Sequence, residues 1–156
     1  MFGPLPKRFF LVSGKGDAST DLNAFDAALL EAGVGNTNLI RLSSILPPGA
    51  KEIDSYTFPP GSFVPLAYGE ITSSEPGAHI SAAIAVGIPE SEEAPGLIME
   101  CAQVGDPSSC EHAVQNMVRE GMESIRGLKI KVLRSAVVTH TVQRVGAVFA
   151  AVVLCP

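Results

Sequence analysis

An α+β fold is what this 156-residue chain predicts, on three observations. Two stretches carry apolar residues at helical spacing, and about seven others read as strands. The strands cluster between the helices instead of alternating with them, the order expected when helices cover an antiparallel or mixed sheet. Apolar residues make up 46% and charged residues only 17%, more apolar surface than a monomer of one domain hides easily, so an oligomer is expected, cyclic or dimeric. There is no internal repeat or low-complexity tract, and a second domain has no room.

Arg8 to Ser13 (Arg-Phe-Phe-Leu-Val-Ser) reads as the first strand, and Gly14-Lys15-Gly16-Asp17-Ala18 as a loop. Thr20 suits an N-cap, and Asp21 suits the positive end of a helix dipole. Leu22, Phe25, Ala28, Leu29 and Ala32 recur at helical spacing, so Asp21 to Ala32 is an amphipathic helix with Gly33 at C′. Gly35 to Leu46 reads as one strand stopped by Pro47-Pro48, because proline lacks the N–H a ladder needs. A proline-rich connection follows to Gly61. Ser62–Thr72, Ile80–Ile88 and Leu97–Val104 are strand-like, separated by a turn at Glu75-Pro76-Gly77-Ala78 and an acidic loop over Glu90–Pro95. Ser108 and Glu111 match a capping box opening a second helix, with Ala113, Val114, Met117, Val118, Met122 and Ile125 on one face and Gly127 at its end. Ile130–His140 and Gly146–Leu154 are the last two strands, a hairpin or near neighbours.

Several function classes are excluded. The net charge is −5 and no Lys/Arg stripe exists, so nucleic acid is not an expected partner; the acidity suits a cationic substrate. Met1 to Pro6 lacks the charged start and apolar run of a signal peptide. The longest apolar run, Val145 to Cys155, is too short to cross a bilayer. Cys101, Cys110 and Cys155 have no CxxC spacing and read as free thiols of a reducing cytosol, so a cytoplasmic protein without membrane contact is expected. His79, His112 and His140 show no metal-ligand spacing. Gly14-Lys15-Gly16 lacks both the spacing and the Lys-Ser/Thr ending of a phosphate loop.

The segment Asn36-Thr37-Asn38-Leu39-Ile40-Arg41-Leu42-Ser43-Ser44-Ile45-Leu46-Pro47-Pro48 carries the most chemistry. It leaves two adjacent hydroxyls at a strand end, which by themselves are either ordinary surface groups or a reactive pair. In the reactive case the Ser44 hydroxyl attacks the Ser43 carbonyl and the peptide becomes an ester. Elimination then frees the Ser43 carboxylate, and the dehydroalanine left at position 44 tautomerises and loses ammonia to give a pyruvoyl group. Such an attack needs a donor for the tetrahedral oxyanion, which Asn38 supplies if the strand bends back. Glu100 sits among Leu97, Ile98, Met99 and Cys101, and is either a carboxyl kept protonated by apolar surroundings or the solvent-side residue of an alternating strand. Asp26, between Phe25 and Ala27, is either an exposed helix charge or a carboxylate for bidentate guanidinium recognition. Arg41 reads as a structural or interface ion-pair partner, and Tyr56 and Tyr68 as packing residues.

The segment resembles the self-cleavage site of the pyruvoyl-dependent arginine decarboxylases. So, in order and at similar spacing, do Leu22-Asn23-Ala24-Phe25-Asp26, Gly33-Val34-Gly35-Asn36, Pro65-Leu66-Ala67-Tyr68-Gly69, Ile80-Ser81-Ala82-Ala83, Gly96-Leu97-Ile98-Met99-Glu100 and the tail from His140, over roughly residues 9 to 154. The resemblance implies a four-layer αββα sandwich over 1–156, self-cleaved between Ser43 and Ser44 into chains 1–43 and 44–156. It implies a covalent pyruvoyl cofactor from Ser44, with no metal and no pyridoxal phosphate, acting on L-arginine through a Schiff base to give agmatine and carbon dioxide. Ser44, Glu100 and Asn38 take the catalytic roles: cofactor precursor, acid and helper of self-cleavage. Asp26 receives the guanidinium; Leu22, Gly35 and Thr37 line the pocket, Thr37 standing where relatives often carry an apolar β-branched residue. The family's assembly is a trimer of cleaved protomers, or two stacked trimers, with active sites between neighbours. A pyruvoyl decarboxylase of another amino acid, and an uncleaved scaffold of the same fold, stay open as alternatives.

Overall fold

The computed structural model describes residues 3–156; Met1 and Phe2, part of the segment read for targeting signals, lie outside the described residues. The order is β1 (Arg8–Ala18), α1 (Asp21–Glu31), β2 (Asn38–Arg41), β3 (Ile45–Leu46), β4 (Lys51–Glu52), β5 (Phe63–Ser73), β6 (His79–Pro89), β7 (Gly96–Val104), α2 (Pro107–Arg119), β8 (Ile130–Thr141) and β9 (Val145–Cys155). One sheet runs β2-β5-β9-β1-β4, with parallel pairing at its two outer strands and antiparallel pairing within. The other runs β3-β7-β6-β8 and is antiparallel throughout.

Three apolar cores hold these elements. Phe9, Ala67, Val148, Ala150 and Val152 of the first sheet meet Leu46, Ile80, Ile84, Val86 and Ile98 of the second. Ala24, Ala28 and Leu29 of α1 lie on Phe10, Val64, Leu66 and Phe149. Val114 and Val118 of α2 lie on Ala83, Ala85 and Leu97. The α+β sandwich is therefore two sheets face to face, each with a helix on its other side. No helix among the described residues is long and apolar enough to cross a membrane.

The local signals act where expected at α1. The Thr20 hydroxyl accepts from the Asn23 N–H at 3.2 Å, and Gly33 takes φ +83° behind the helix. Four expectations need correction. The supposed loop Gly14–Ala18 continues β1, paired with Phe149 to Val145. Its glycines are there for α1: a Cβ on Gly14 would stand 2.1 Å from the Ala28 carbonyl oxygen. The N-cap of α2 is Asp106, accepting from the Ser108 N–H at 3.0 Å with Pro107 in the first turn, and Glu111 instead accepts from Ser135 at 2.7 Å. The last two strands are not a hairpin but near neighbours, β8 in one sheet and β9 in the other, meeting across the interior. The fourth correction is that Gly35–Leu46 is not one strand. β2 lies in the first sheet, β3 in the second, and Leu42–Ser44 crosses between them.

Candidate functional site

That crossing carries Ser43 and Ser44. On its near side the Leu42 N–H donates to the Leu66 carbonyl at 2.9 Å; on its far side the Ile98 N–H donates to the Ser44 carbonyl at 2.7 Å. The peptide joining the two serines is thus slung between the sheets, with the group before it tied to one sheet and the group after it tied to the other. Ser43 is exposed and Ser44 half-buried.

Glu100 stands two residues beyond Ile98 on β7. Residues of a strand alternate faces, and Leu97, Met99 and Cys101 pack toward α2 while Ile98 and Ala102 face the first sheet. Glu100 shares the latter face, with its side chain 32% exposed, so the solvent-side alternative is not what the fold adopts. Burial raises its carboxyl above the ordinary range, and the Arg41 guanidinium pulls part of the way back. The nearest Arg41 nitrogen is 3.8 Å from Glu100 Oε1. Arg41 also donates to the Tyr68 carbonyl at 3.1 Å and lies 4.4 Å over the Tyr68 ring. The room beside Glu100 comes from Gly69, where a Cβ would stand 3.2 Å from the Glu100 Cβ.

Tyr68 joins this cluster to an open recess of about 500 Å³ that Leu22, Asp26, Phe25 and Leu39 also line. Asp26 is exposed, and among the described residues it has no ion-pair partner within 4 Å. Leu22, Asp26 and Leu30 are spaced to share one stripe of α1, and both leucines are exposed, at 75% and 51%. The stripe leads to Gly35, which packs against Leu30. Thr37 donates to the Val34 carbonyl at 2.7 Å.

Asn38 is not brought to the serines within the chain. It opens β2, whose parallel register with β5 runs from Asn38 opposite Phe63 to Arg41 opposite Leu66 without bending back. Five residues of extended chain separate Asn38 from Ser43, roughly 15 Å, and the Asn38 amide donates to the Gly61 carbonyl at 2.9 Å. Two groups therefore stand at opposite ends of β2: Gly35, Thr37 and Asn38 at its start, and Ser43, Ser44 and Glu100 beyond its end. Arg41 and Tyr68 are the residues that sequence reasoning assigned to structure alone. Their signal was present, a basic residue two positions before the serine pair, but nothing in the sequence said that it reaches Glu100.

A family model described as "Pyruvoyl-dependent arginine decarboxylase" matches residues 8–156. A protein of that name from Methanococcus maripaludis strain C7 is 47% identical over 149 residues, covering 96% of this chain and 90% of the relative. One from Methanocaldococcus jannaschii is 46% identical over 150 residues at the same coverage. One from Thermococcus sibiricus is 43% identical over 154 residues, covering 97% and 96%.

Proposed function

The chain belongs to the pyruvoyl-dependent arginine decarboxylases, and from that membership we propose which of its residues do the work. The reaction converts arginine to agmatine and carbon dioxide with a covalent pyruvoyl group as cofactor. Ser44 is the residue converted, by cleavage of the Ser43–Ser44 peptide into chains 1–43 and 44–156. The observation that carries this is the slung peptide: Leu42 is tied to one sheet and Ser44 to the other. Chain cleavage at that bond frees the two ends without breaking either tie, and the carbonyl of residue 44 stays fixed by the Ile98 N–H. Residue 44 is thus a fitting host for the cofactor.

The pyruvoyl ketone supplies an electron sink for the pair left behind by the departing carboxylate. The α-carbon then needs a proton, and Glu100 is the acid: burial pushes its carboxyl toward the protonated form, and it stands two residues along β7 from Ile98, which ties residue 44. Asp26 receives the substrate guanidinium, and Leu22, Gly35 and Thr37 form walls of the pocket. The guanidinium end of the site and the cofactor end belong to different protomers. Supporting this are the separation along β2 and the exposed apolar residues that flank it, Leu22, Leu30, Phe63 and Ile45. Asn38 accordingly serves a neighbour's serine pair, in a trimer or a pair of trimers. The free thiols at Cys101, Cys110 and Cys155 support a reducing, cytoplasmic setting.

Denaturing mass spectrometry, before and after borohydride reduction with arginine present, tests the reading. Two chains divided at Ser43–Ser44, the larger with a blocked start that traps the amine, are expected. One intact chain that traps nothing would sink it.

A further inference from the structure

Arg41 belongs to the piece of chain before the serine pair, yet its side chain ends on Glu100, which belongs to the piece after it. Two contacts fix the guanidinium on Tyr68: the hydrogen bond to the carbonyl at 3.1 Å and the stacking over the ring at 4.4 Å. A planar cation is suited to both at once, where an ammonium is not. At 3.8 Å from Glu100 the remaining contact is electrostatic and longer than a hydrogen bond. The Glu100 carboxyl is thus free to turn toward a substrate while the positive charge stays in place.

The surroundings leave the task to this one group. β5 presents Gly69 to Glu100, β6 presents Ile84, and β7 itself presents Ile98 and Ala102. Among the described residues Arg41 is the single charged group set against Glu100. An acid that gives up its proton becomes a carboxylate, and in a half-buried position that anion is disfavoured. A cation fixed nearby stabilises the anion without holding the proton.

We propose that Arg41, anchored on Tyr68, is a positioning residue for Glu100: it orients the carboxyl and stabilises the carboxylate formed when the proton passes to the α-carbon. The inference rests on Glu100 being the acid. Burial and Arg41 act on the Glu100 proton in opposite directions, which agrees with this division of labour.

Arg41→Met and Arg41→Lys, isolated as cleaved enzyme, are compared with the parent across pH. For Arg41→Met a fall of about tenfold in kcat is expected, with KM for arginine little changed. The alkaline limb of kcat, which reports loss of the acid's proton, should move up by about one pH unit. Arg41→Lys keeps the charge without the double anchorage on Tyr68, so its limb should lie between those of the parent and Arg41→Met. An unmoved limb in Arg41→Met would overturn the proposal. A second measurement stands independent of cleavage: in a Ser44→Ala background, the Glu100 carboxyl carbon is titrated by NMR with and without Arg41→Met. Its midpoint should rise by about one pH unit; equal midpoints would overturn the proposal. Glu100→Gln distinguishes the two levels. If that variant keeps full kcat, the acid assignment itself falls; if it is inactive while Arg41→Met shows no shift, only the role of Arg41 falls.

Discussion

Asp26 offers an exposed carboxylate on a recess, with no cation of its own chain within 4 Å among the described residues. A carboxylate left unpaired is ready for a planar partner. Asp26→Asn keeps the shape and removes the charge, so KM for arginine should rise roughly 10- to 100-fold, the worth of a charged hydrogen bond. Cleavage should be unaffected, as steady-state kinetics and mass spectrometry on one preparation will show. Asp17 is the opposite kind of residue, an acid satisfied entirely within the fold. It accepts from the N–H groups of Gln143 and Arg144 at 2.8 and 3.0 Å and meets His140 at 3.0 Å. Burial pushes its carboxyl up, but the Gln143 N–H, His140 and the Arg144 N–H together outweigh that and hold it below the ordinary range. A lowered folded-state pKa contributes stability above the unfolded value and loses it as pH falls through the folded one. Asp17→Ala should therefore cost about 1–3 kcal/mol near neutral pH, and the gap to the parent should narrow in acid, read by chemical denaturation at a series of pH values.

At the scale of elements, close approach of α1 to β1 depends on Gly14 and Gly16. A Cβ on Gly16 would lie 2.6 Å from the Ala27 Cβ, and one on Gly14 would meet helix backbone. Backbone cannot rotate aside, so Gly14→Ala should destabilise by about 3 kcal/mol, seen as a lowered denaturation midpoint with an unchanged slope. The same pair explains a misreading, since Gly-Lys-Gly-Asp is turn chemistry to any local rule and only the helix above makes it strand. The α1 helix itself was legible because Thr20 and Gly33 are local signals acting locally. The break at Leu42–Ser44 was not, because Leu39 to Leu46 has no residue that refuses a strand. What divides it is that Leu42 finds Leu66 while Ser44 finds Ile98, partners far along the chain. The cap of α2 went wrong for a smaller reason: Asp106-Pro107 and Ser108…Glu111 are both valid starts, and Pro107 at the first helical position favours the former.

At the scale of the molecule, the candidate residues were legible in the ordered blocks of sequence, while their division between the two ends of β2 was not. A linear pattern holds Asn38 five positions from Ser43 whether the chain doubles back or runs on. If the site is shared between copies, cleavage should depend on association. Sedimentation velocity should give a species of at least three protomers, and diluting freshly made chain below the association range should slow the appearance of the two fragments. The sheet order has one further consequence. β1 lies between β9 and β4, joined to β9 along all eleven of its residues, and α1 covers it. The proposed cleavage leaves both in the shorter piece, so the mature enzyme is a split protein whose inner strand is supplied by a second molecule. Folding the precursor is a search within one chain; restoring the mature form from denaturant is a collision between two. Refolding yield should fall on dilution for the cleaved form and be independent of concentration for any first-order folding step of Ser44→Ala, making the covalent tether an aid to assembly that is used once.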